Sequence, residues 1–224
     1  MCLAASAAAG TRLVVQAEAL TWMREHLAQP GDAIVTSLPD VSELPDLGPG
    51  LEGWQRWFVA AAAQLMRWPE SSSASLFFQS DIRHDGRWID KAYLVQKAAE
   101  QAQASLLFHK IVCRHPPGTL TQGRASYSHL LAFTTGTELR PKRPSPDVLP
   151  EAGNMPWSRA MGTRACEVAC RFLIDEVAAC RVVDPFCGKG SVLAVANALG
   201  LDALGIDVSA KRCRAARKLG VGVS

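Results

Sequence analysis

The sequence has no apolar run as long as 18 residues, so no segment is expected to cross a membrane as a helix, and no membrane partner is expected. Its opening, MCLAASAAAG, lacks the basic n-region of a secretory signal. Seven cysteines (Cys2, Cys113, Cys166, Cys170, Cys180, Cys187 and Cys213) contain no CxxC pair, and no histidine stands at zinc-finger spacing. Neither a disulfide framework nor a structural zinc is therefore indicated, and Cys166 and Cys170, one helical turn apart, read as small buried thiols. We expect no metal and a reducing, cytoplasmic setting, with nuclear and organellar locations left open. A strong charge is missing too: 24 basic against 21 acidic residues give +3 and a pI near 8.5, too mild to name a partner. What is present is a globular composition, 48% hydrophobic over 224 residues, enough for one sizeable core.

Periodicity gives an alternation of strands and helices. Strands are expected at 12–15, 33–36, 76–79, 106–113, 128–134, 180–183 and 203–206. Helices are expected at 21–28, 51–68, 91–104, 163–177, 191–199 and 210–219. The second helix aligns Trp54, Trp57, Phe58, Ala61 and Leu65 on one face and stops at Pro69. The fourth carries Ala165, Val168, Ala169, Phe172 and Leu173 in the i, i+3, i+4, i+7, i+8 pattern. Between 136 and 157 there is no periodicity and proline is frequent, so this stretch reads as a connector. Seven or so strands alternating with helices argue for an α/β fold with a mostly parallel sheet, in which ligands sit where the strands stop.

The strand end with the most chemistry is Val182 to Ser191, VVDPFCGKGS, followed by an apolar helix and then Leu204 to Val208, LGIDV. Gly188 and Gly190 let the backbone pass close to a ligand, and Asp207, ending the next strand, can take both hydroxyls of a ribose. A phosphate-binding P-loop would need GxxxxGK before Ser or Thr, but Val183 stands at the first glycine position and Gly190 follows Lys189. A nicotinamide fingerprint GxGxxG would have glycine where Leu193 stands. DPFCGKGS instead resembles the DPFxGxGT cofactor loop of DNA and RNA amino-methyltransferases. The resemblance implies a class I S-adenosylmethionine-dependent methyltransferase with a Rossmann-like, seven-stranded, mostly parallel sheet and helices on both faces. S-adenosyl-L-methionine is the implied cofactor, bound by Asp184, Pro185, Phe186, Gly188, Gly190 and Ser191 of the loop and by Asp207.

In the usual order of that family the cofactor loop comes first and a tetrapeptide (D/N/S)PP(Y/F) follows at the end of the fourth strand. Here the loop lies near the C-terminus, with one strand and one helix after it. The missing third and fourth strands are found in TRLVVQAEAL and GDAIVTSLPD, so the chain is similar to the circularly permuted beta-type DNA methyltransferases. SYSHLLAFTTG resembles their YEHILVF segment, and WSRAMGTRACEVACRFL takes the place of the helix that precedes the cofactor loop. The implied organisation is a tail at 1–11 and one permuted domain at 12–219. Within it, 12–135 is the catalytic and substrate half, 136–157 the connector and 158–219 the cofactor half. Glu18 falls where the family often places an adenine-contacting acid, and Thr36 ends the strand that faces the cofactor.

The tetrapeptide is Ser37-Leu38-Pro39-Asp40. Ser37 and Pro39 match the family; Leu38 replaces a proline, and Asp40 replaces the aromatic that stacks on a flipped base. Asp40 reads either as a general base toward a nitrogen or oxygen nucleophile or as a turn cap. Asp81, His84, Trp88 and Lys91, in the polar stretch after the next strand, are candidates for binding an anionic or nucleotide substrate, and Lys110 is a further one. The interval from 136 to 157 leaves no room for a DNA-reading domain. Nucleic acid is therefore the expected substrate, RNA before DNA. A protein or small-molecule acceptor, and a non-catalytic cofactor-binding module, stay open, as does the oligomeric state.

Overall fold

A computed structural model describes residues 10–44 and 50–222. Residues 1–9 of the expected tail, with Cys2, and 45–49 of the Pro- and Gly-rich loop lie outside them. The strands are β1 (Arg12–Gln16), β2 (Asp32–Thr36), β3 (Ser75–Gln79), β4 (Ile82–His84), β5 (Arg87–Ile89), β6 (Ser105–Cys113), β7 (Tyr127–Thr134), β8 (Val148–Leu149), β9 (Arg181–Asp184) and β10 (Asp202–Asp207). The helices are α1 (Ala19–Glu25), α2 (Gly50–Arg67), α3 (Lys91–Ala102), α4 (Thr163–Phe172), α5 (Ser191–Ala198) and α6 (Ala210–Ala216).

Eight strands form the main sheet in the order β1, β10, β9, β2, β3, β7, β6, β8, with β7 antiparallel to its two neighbours and every other pairing parallel. The expected count of seven is exceeded by β8, two residues of the connector that pair with Ile111 and Val112. The buried Lys110 fixes this edge: its Nζ donates to the Ser145 carbonyl, the Ser145 hydroxyl and the Pro146 carbonyl. Lys110 therefore acts as a clasp for the connector, and this network places it on the sheet edge.

Two apolar layers cover the sheet. One face packs Ile34, Phe77, Leu131 and Ile206 under α1, α2 and α3; the other packs Val35, Leu76, Val182 and Ala203 under α4, α5 and α6. Alternation along each strand divides the side chains between the layers, so every residue of β2 and β3 is buried and the three central positions of each are apolar, as a sheet covered on both faces requires. On α4, Ala165, Cys166, Ala169 and Cys170 are fully buried, the two thiols as expected, while Val168 and Phe172 of the expected face lie at the margin. Burial pushes the Cys170 thiol up to about 12, so it is an inert core group. After α4 the helix widens to a π turn at Leu173–Val177 and ends on Ala178 in the left-handed region.

The charged pair at the centre of the sheet is Asp32 on β2 with Arg181 on β9. It is bidentate, Nε to Oδ1 at 2.7 Å and Nη2 to Oδ2 at 2.8 Å, and Asp32 is almost completely buried. A planar guanidinium facing a carboxylate across neighbouring strands fixes their register, as the pairing of Asp32 with Arg181 records. Residues 82–89, in the polar stretch after β3, form the β4–β5 hairpin, turned by Asp85 and Gly86 with φ of 48° and 76°. Asp-Gly with both residues at positive φ is the turn that matches strand twist.

Candidate active site

The carboxyl ends of β1, β10, β9, β2 and β3 open on one cleft of about 760 Å3, a volume suited to a small ligand together with part of a larger one. Glu18, Asp207, Asp184, Ser37 and Asp81 come to its wall from those five strand ends in turn. Residues from opposite ends of the chain are thus brought to one place by the sheet order alone.

Asp184 ends β9 under full burial. Its Oδ1 accepts the Thr36 hydroxyl at 2.7 Å and the Phe186 N–H at 3.2 Å, yet desolvation outweighs both bonds and pushes its carboxyl up to about 7. Asp207 ends β10, one strand further out. Its Oδ2 accepts the Gly188 N–H at 3.1 Å and its Oδ1 the Ser209 N–H at 2.7 Å, so the acid ties the loop after β9 to the start of α6. Burial raises its carboxyl above the usual range, opposed by those bonds and by Arg212. Each oxygen keeps a lone pair for a ligand.

The two glycines of the loop have different tasks. Gly188, at φ 53°, lines the cleft, and a Cβ there would meet the Trp157 ring at 2.8 Å. Gly190, at φ 84°, packs on α6, where a Cβ would stand 2.9 Å from the Cα and Cβ of Ala216. Trp157 closes this end: its Nε1 donates to the Ser191 hydroxyl at 3.2 Å, and Lys189 Nζ lies 5.6 Å from its ring centroid. Pro185, Phe186 and Ser191 all reach the cleft wall. Glu18 caps α1, accepting the N–H groups of Leu20 at 3.1 Å and Thr21 at 2.7 Å. Burial raises its carboxyl, but these bonds win and hold it below the ordinary range.

At the other end the tetrapeptide is held from behind. Trp54 Nε1 donates to the Pro39 carbonyl at 3.1 Å, Leu38 is buried, and Ser37 faces outward. Asp40 meets the Lys91 ammonium at 2.6 Å; the Lys91 side chain is 3% exposed and that of Asp40 40% exposed. Asp40 also starts the short 3-10 turn Val41–Glu43, and Glu43 Oε2 accepts its N–H at 3.2 Å. Asp40 is thus both the first residue of the turn, through its backbone, and the partner of Lys91, through Oδ1.

Asp81 stands beside this pair. Its Oδ1 accepts the Lys91 N–H, and its Oδ2 faces Trp88 Nε1 and His129 Nε2, both at 3.2 Å. Burial raises the carboxyl, but the bonds from His129, Lys91 and Trp88 outweigh it and leave it below the usual range. Asp81, Asp90 and His129 bring ligand atoms within 4.8 Å of one another. With N–H donors on both oxygens of Asp81, the arrangement is a hydrogen-bond network in its present form. His109 Nε2 extends it to His129 Nδ1 at 2.9 Å. His84 and Trp88, expected near substrate, sit on the hairpin: His84 pairs with Asp85 at 3.5 Å, and Arg83 lies over the Trp88 ring at 5.4 Å. Neither is among the residues that wall the cleft.

Sequence reasoning missed several wall residues. Glu43 binds Arg159 at 2.7 Å and Arg212 at 3.6 Å across the mouth, a strap between the tetrapeptide turn and the cofactor half. Trp57 of α2 lies edge-on to Phe186, centroids 6.0 Å apart at 70°. Arg114, one of the basic residues flanking the expected strand at 106–113 and so legible, and Arg124, which is not, reach the wall from the β6–β7 connection. The only sequence signal of Arg124 is the basic character of the turn-rich segment after β6.

No protein-family model and no curated protein sequence matches the chain. Solved structures do. TTHA0409 of Thermus thermophilus, described as a candidate DNA modification methylase and solved with S-adenosyl-L-methionine, superposes with a TM-score of 0.69 at 16% identity, covering 92% of each chain. The cytosine-N4-specific PvuII DNA methyltransferase gives 0.70 at 13% identity, over 97% of this chain and 89% of its own. M1.HpyAVI in complex with SAM gives 0.59 at 15%, over 93% and 99%. At these identities the likeness is one of fold: this chain has the fold of those methylases over nearly its whole length.

Proposed function

We propose that the chain is an S-adenosylmethionine-dependent methyltransferase acting on an amine of nucleic acid, and that its fold is a circular permutation of the usual class I order. The observation that carries this reading is the convergence of Asp184, Gly188 and Asp207 with Ser37 to Asp40 on one cleft at the strand ends. The sheet order supports the permutation: the first two strands of the chain flank the last two, β1 beside β10 and β2 beside β9. In this reading 158–219 is the cofactor half, 12–135 the catalytic half and 136–157 the connector that joins them.

The residues present fit the cofactor. Asp207 would offer its oxygens to ribose hydroxyls, the Phe186 to Gly188 backbone would seat the cofactor closely, and Glu18, on the same wall, would be available to a polar edge of the adenine base. When bound, the sulfonium supplies an electrophilic methyl group. Asp184 does not reach out to it; through Thr36 and the Phe186 N–H it fixes the loop that does. Asp40, its Oδ1 held by Lys91, has Oδ2 to accept an N–H of the acceptor and so orient the nitrogen lone pair for in-line attack. Held by Asp207 and the Phe186 to Gly188 backbone, the cofactor would supply the methyl group and leave as its thioether, and the amine proton would pass to Asp40 or to water at the open mouth.

Two of the neighbouring structures are described as DNA methylases. Their chains are matched over about nine-tenths of their own length, so they too carry little beyond this fold. Lack of room for a separate reading domain therefore gives no preference for RNA, and DNA becomes the first substrate to test, RNA the second. Calorimetric titration with S-adenosylmethionine should give a saturable site that Asp207→Ala abolishes. Tritium transfer into DNA, RNA and protein fractions then identifies the acceptor. No binding by the wild type removes the cofactor reading, and label in protein alone removes the nucleic-acid reading.

A further inference from the structure

Of the two tryptophans in the cleft wall, Trp57 and Trp157, only Trp57 leaves its indole N–H without an acceptor among the described residues. It is half-buried on α2, lines the same cleft as Asp40, Lys91 and Phe186, and presents its ring edge-on to Phe186. Trp54, Trp68, Trp88 and Trp157 each donate the indole N–H to a protein oxygen. Among the described residues Trp57 Nε1 meets no such acceptor. Trp22, the other indole in that condition, is stacked on His26 at 4.0 Å and is not part of the cleft wall.

The position of Trp57 is also fixed. Trp54, one turn earlier on α2 and fully buried, holds the Pro39 carbonyl, so the start of α2 is anchored to the tetrapeptide. Trp57 is thereby held at a set distance from Ser37 to Asp40, and its contact with Phe186 ties it to the loop after β9. A half-buried indole with a free donor thus shares one cleft with the Asp40–Lys91 ion pair. A flat aromatic wall favours a flat heteroaromatic guest, and the ion pair favours the polar, amine-bearing edge of that guest.

We infer that Trp57 is a specificity-determining residue that seats a planar heteroaromatic amine, a nucleobase, with the ring against the indole and the amine toward Asp40. The inference rests on the nucleic-acid reading above and deepens it. The test compares wild type with Trp57→Leu, which keeps apolar bulk but loses the flat face, and Trp57→Phe, which keeps a face. Three quantities are measured: the affinity for S-adenosylmethionine by calorimetry, quenching of tryptophan emission by a mixed-sequence single-stranded DNA 20-mer, and KM and kcat for tritium transfer to that oligonucleotide. Loss of a base–aromatic stack is expected to raise KM roughly 10- to 100-fold in Trp57→Leu with kcat nearly kept, while Trp57→Phe stays within about 5-fold. Cofactor affinity should be unchanged in both variants, and the quench should be smaller in Trp57→Phe than in wild type.

An unchanged KM in Trp57→Leu overturns the inference. So does a fall in cofactor affinity equal to the rise in KM, which would make Trp57 a support for Phe186. A wild type that binds S-adenosylmethionine but shows no quench and no transfer with the oligonucleotide also overturns it, while the methyltransferase reading stands. A wild type that fails to bind the cofactor defeats both, and the calorimetry alone identifies that case.

Discussion

Replacing Asp40 by alanine should cost more stability than replacing Lys91 by methionine, although Asp40 is the more exposed partner. Lys91 Nζ is buried, with Asp40 Oδ1 at 2.6 Å and the Phe58 ring at 5.6 Å around it. Asp40→Ala strands an ammonium in that setting, which costs about 3 kcal/mol, the low end for breaking a buried pair because water reaches the Asp40 side. Lys91→Met keeps the apolar stem and leaves a carboxylate that is 40% exposed and can resolvate, for about 1.5 kcal/mol. The double variant should recover about 2 kcal/mol relative to the sum of the two. In a domain of this size, a loss of about 3 kcal/mol lowers Tm by roughly 6 to 12 °C. Urea unfolding followed by circular dichroism, with the m-value checked for constancy, measures all three. Equal effects of the two single variants, or a coupling below about 0.5 kcal/mol, would refute the reasoning.

Further predictions concern the cofactor half and the sheet. Asp184 has its folded pKa raised to about 7, so the folded state binds more protons than the unfolded one between roughly pH 4 and 7, and stability should fall as pH rises through that window. About three pH units correspond to about 4 kcal/mol, and Asp184→Asn should flatten that part of the profile; equal slopes in both proteins would contradict it. Gly190→Ala meets both positive φ and the Ala216 backbone, and should destabilise by roughly 2 to 4 kcal/mol in thermal melts. Gly188→Ala should instead displace Trp157 and weaken binding of S-adenosylmethionine, read by calorimetry, with a smaller change in Tm. Asp32→Ala should cost about 3 kcal/mol by leaving Arg181 unpaired between β2 and β9, measured by urea titration.

The central strands are legible in the sequence because they are buried on both faces and read as plain apolar runs, and DPFCGKGS with Asp207 marks the two strand ends that matter most. The β4–β5 hairpin escapes notice even though Asp85-Gly86 is a hairpin signal, because only three residues flank it on each side. On α4 the two thiols are legible as buried, but the stripe they form with Ala165 and Ala169 turns Val168 and Phe172, which the apolar pattern includes, to its margin. Periodicity groups Trp57 with Trp54 and Phe58, but it lies at the edge of that stripe, where a helix leaves its sheet and meets a cleft. Lys91 and Asp40 are 51 residues apart, and no local pattern announces a pair made by two strand ends closing together.

The order of the sheet also sets a timetable for synthesis. β1 and β2 emerge first, but the two strands that belong between them are nearly the last to be made, and the Thr36 to Asp184 hydrogen bond spans 148 residues. At ribosomal rates of about 5 to 20 residues per second, β2 waits roughly 7 to 30 s for its neighbour β9. During that interval β2 has one open backbone edge, and β1 has no place in the sheet at all. The nascent chain therefore depends on protection of those edges in a way that a chain with its last two strands made first would not.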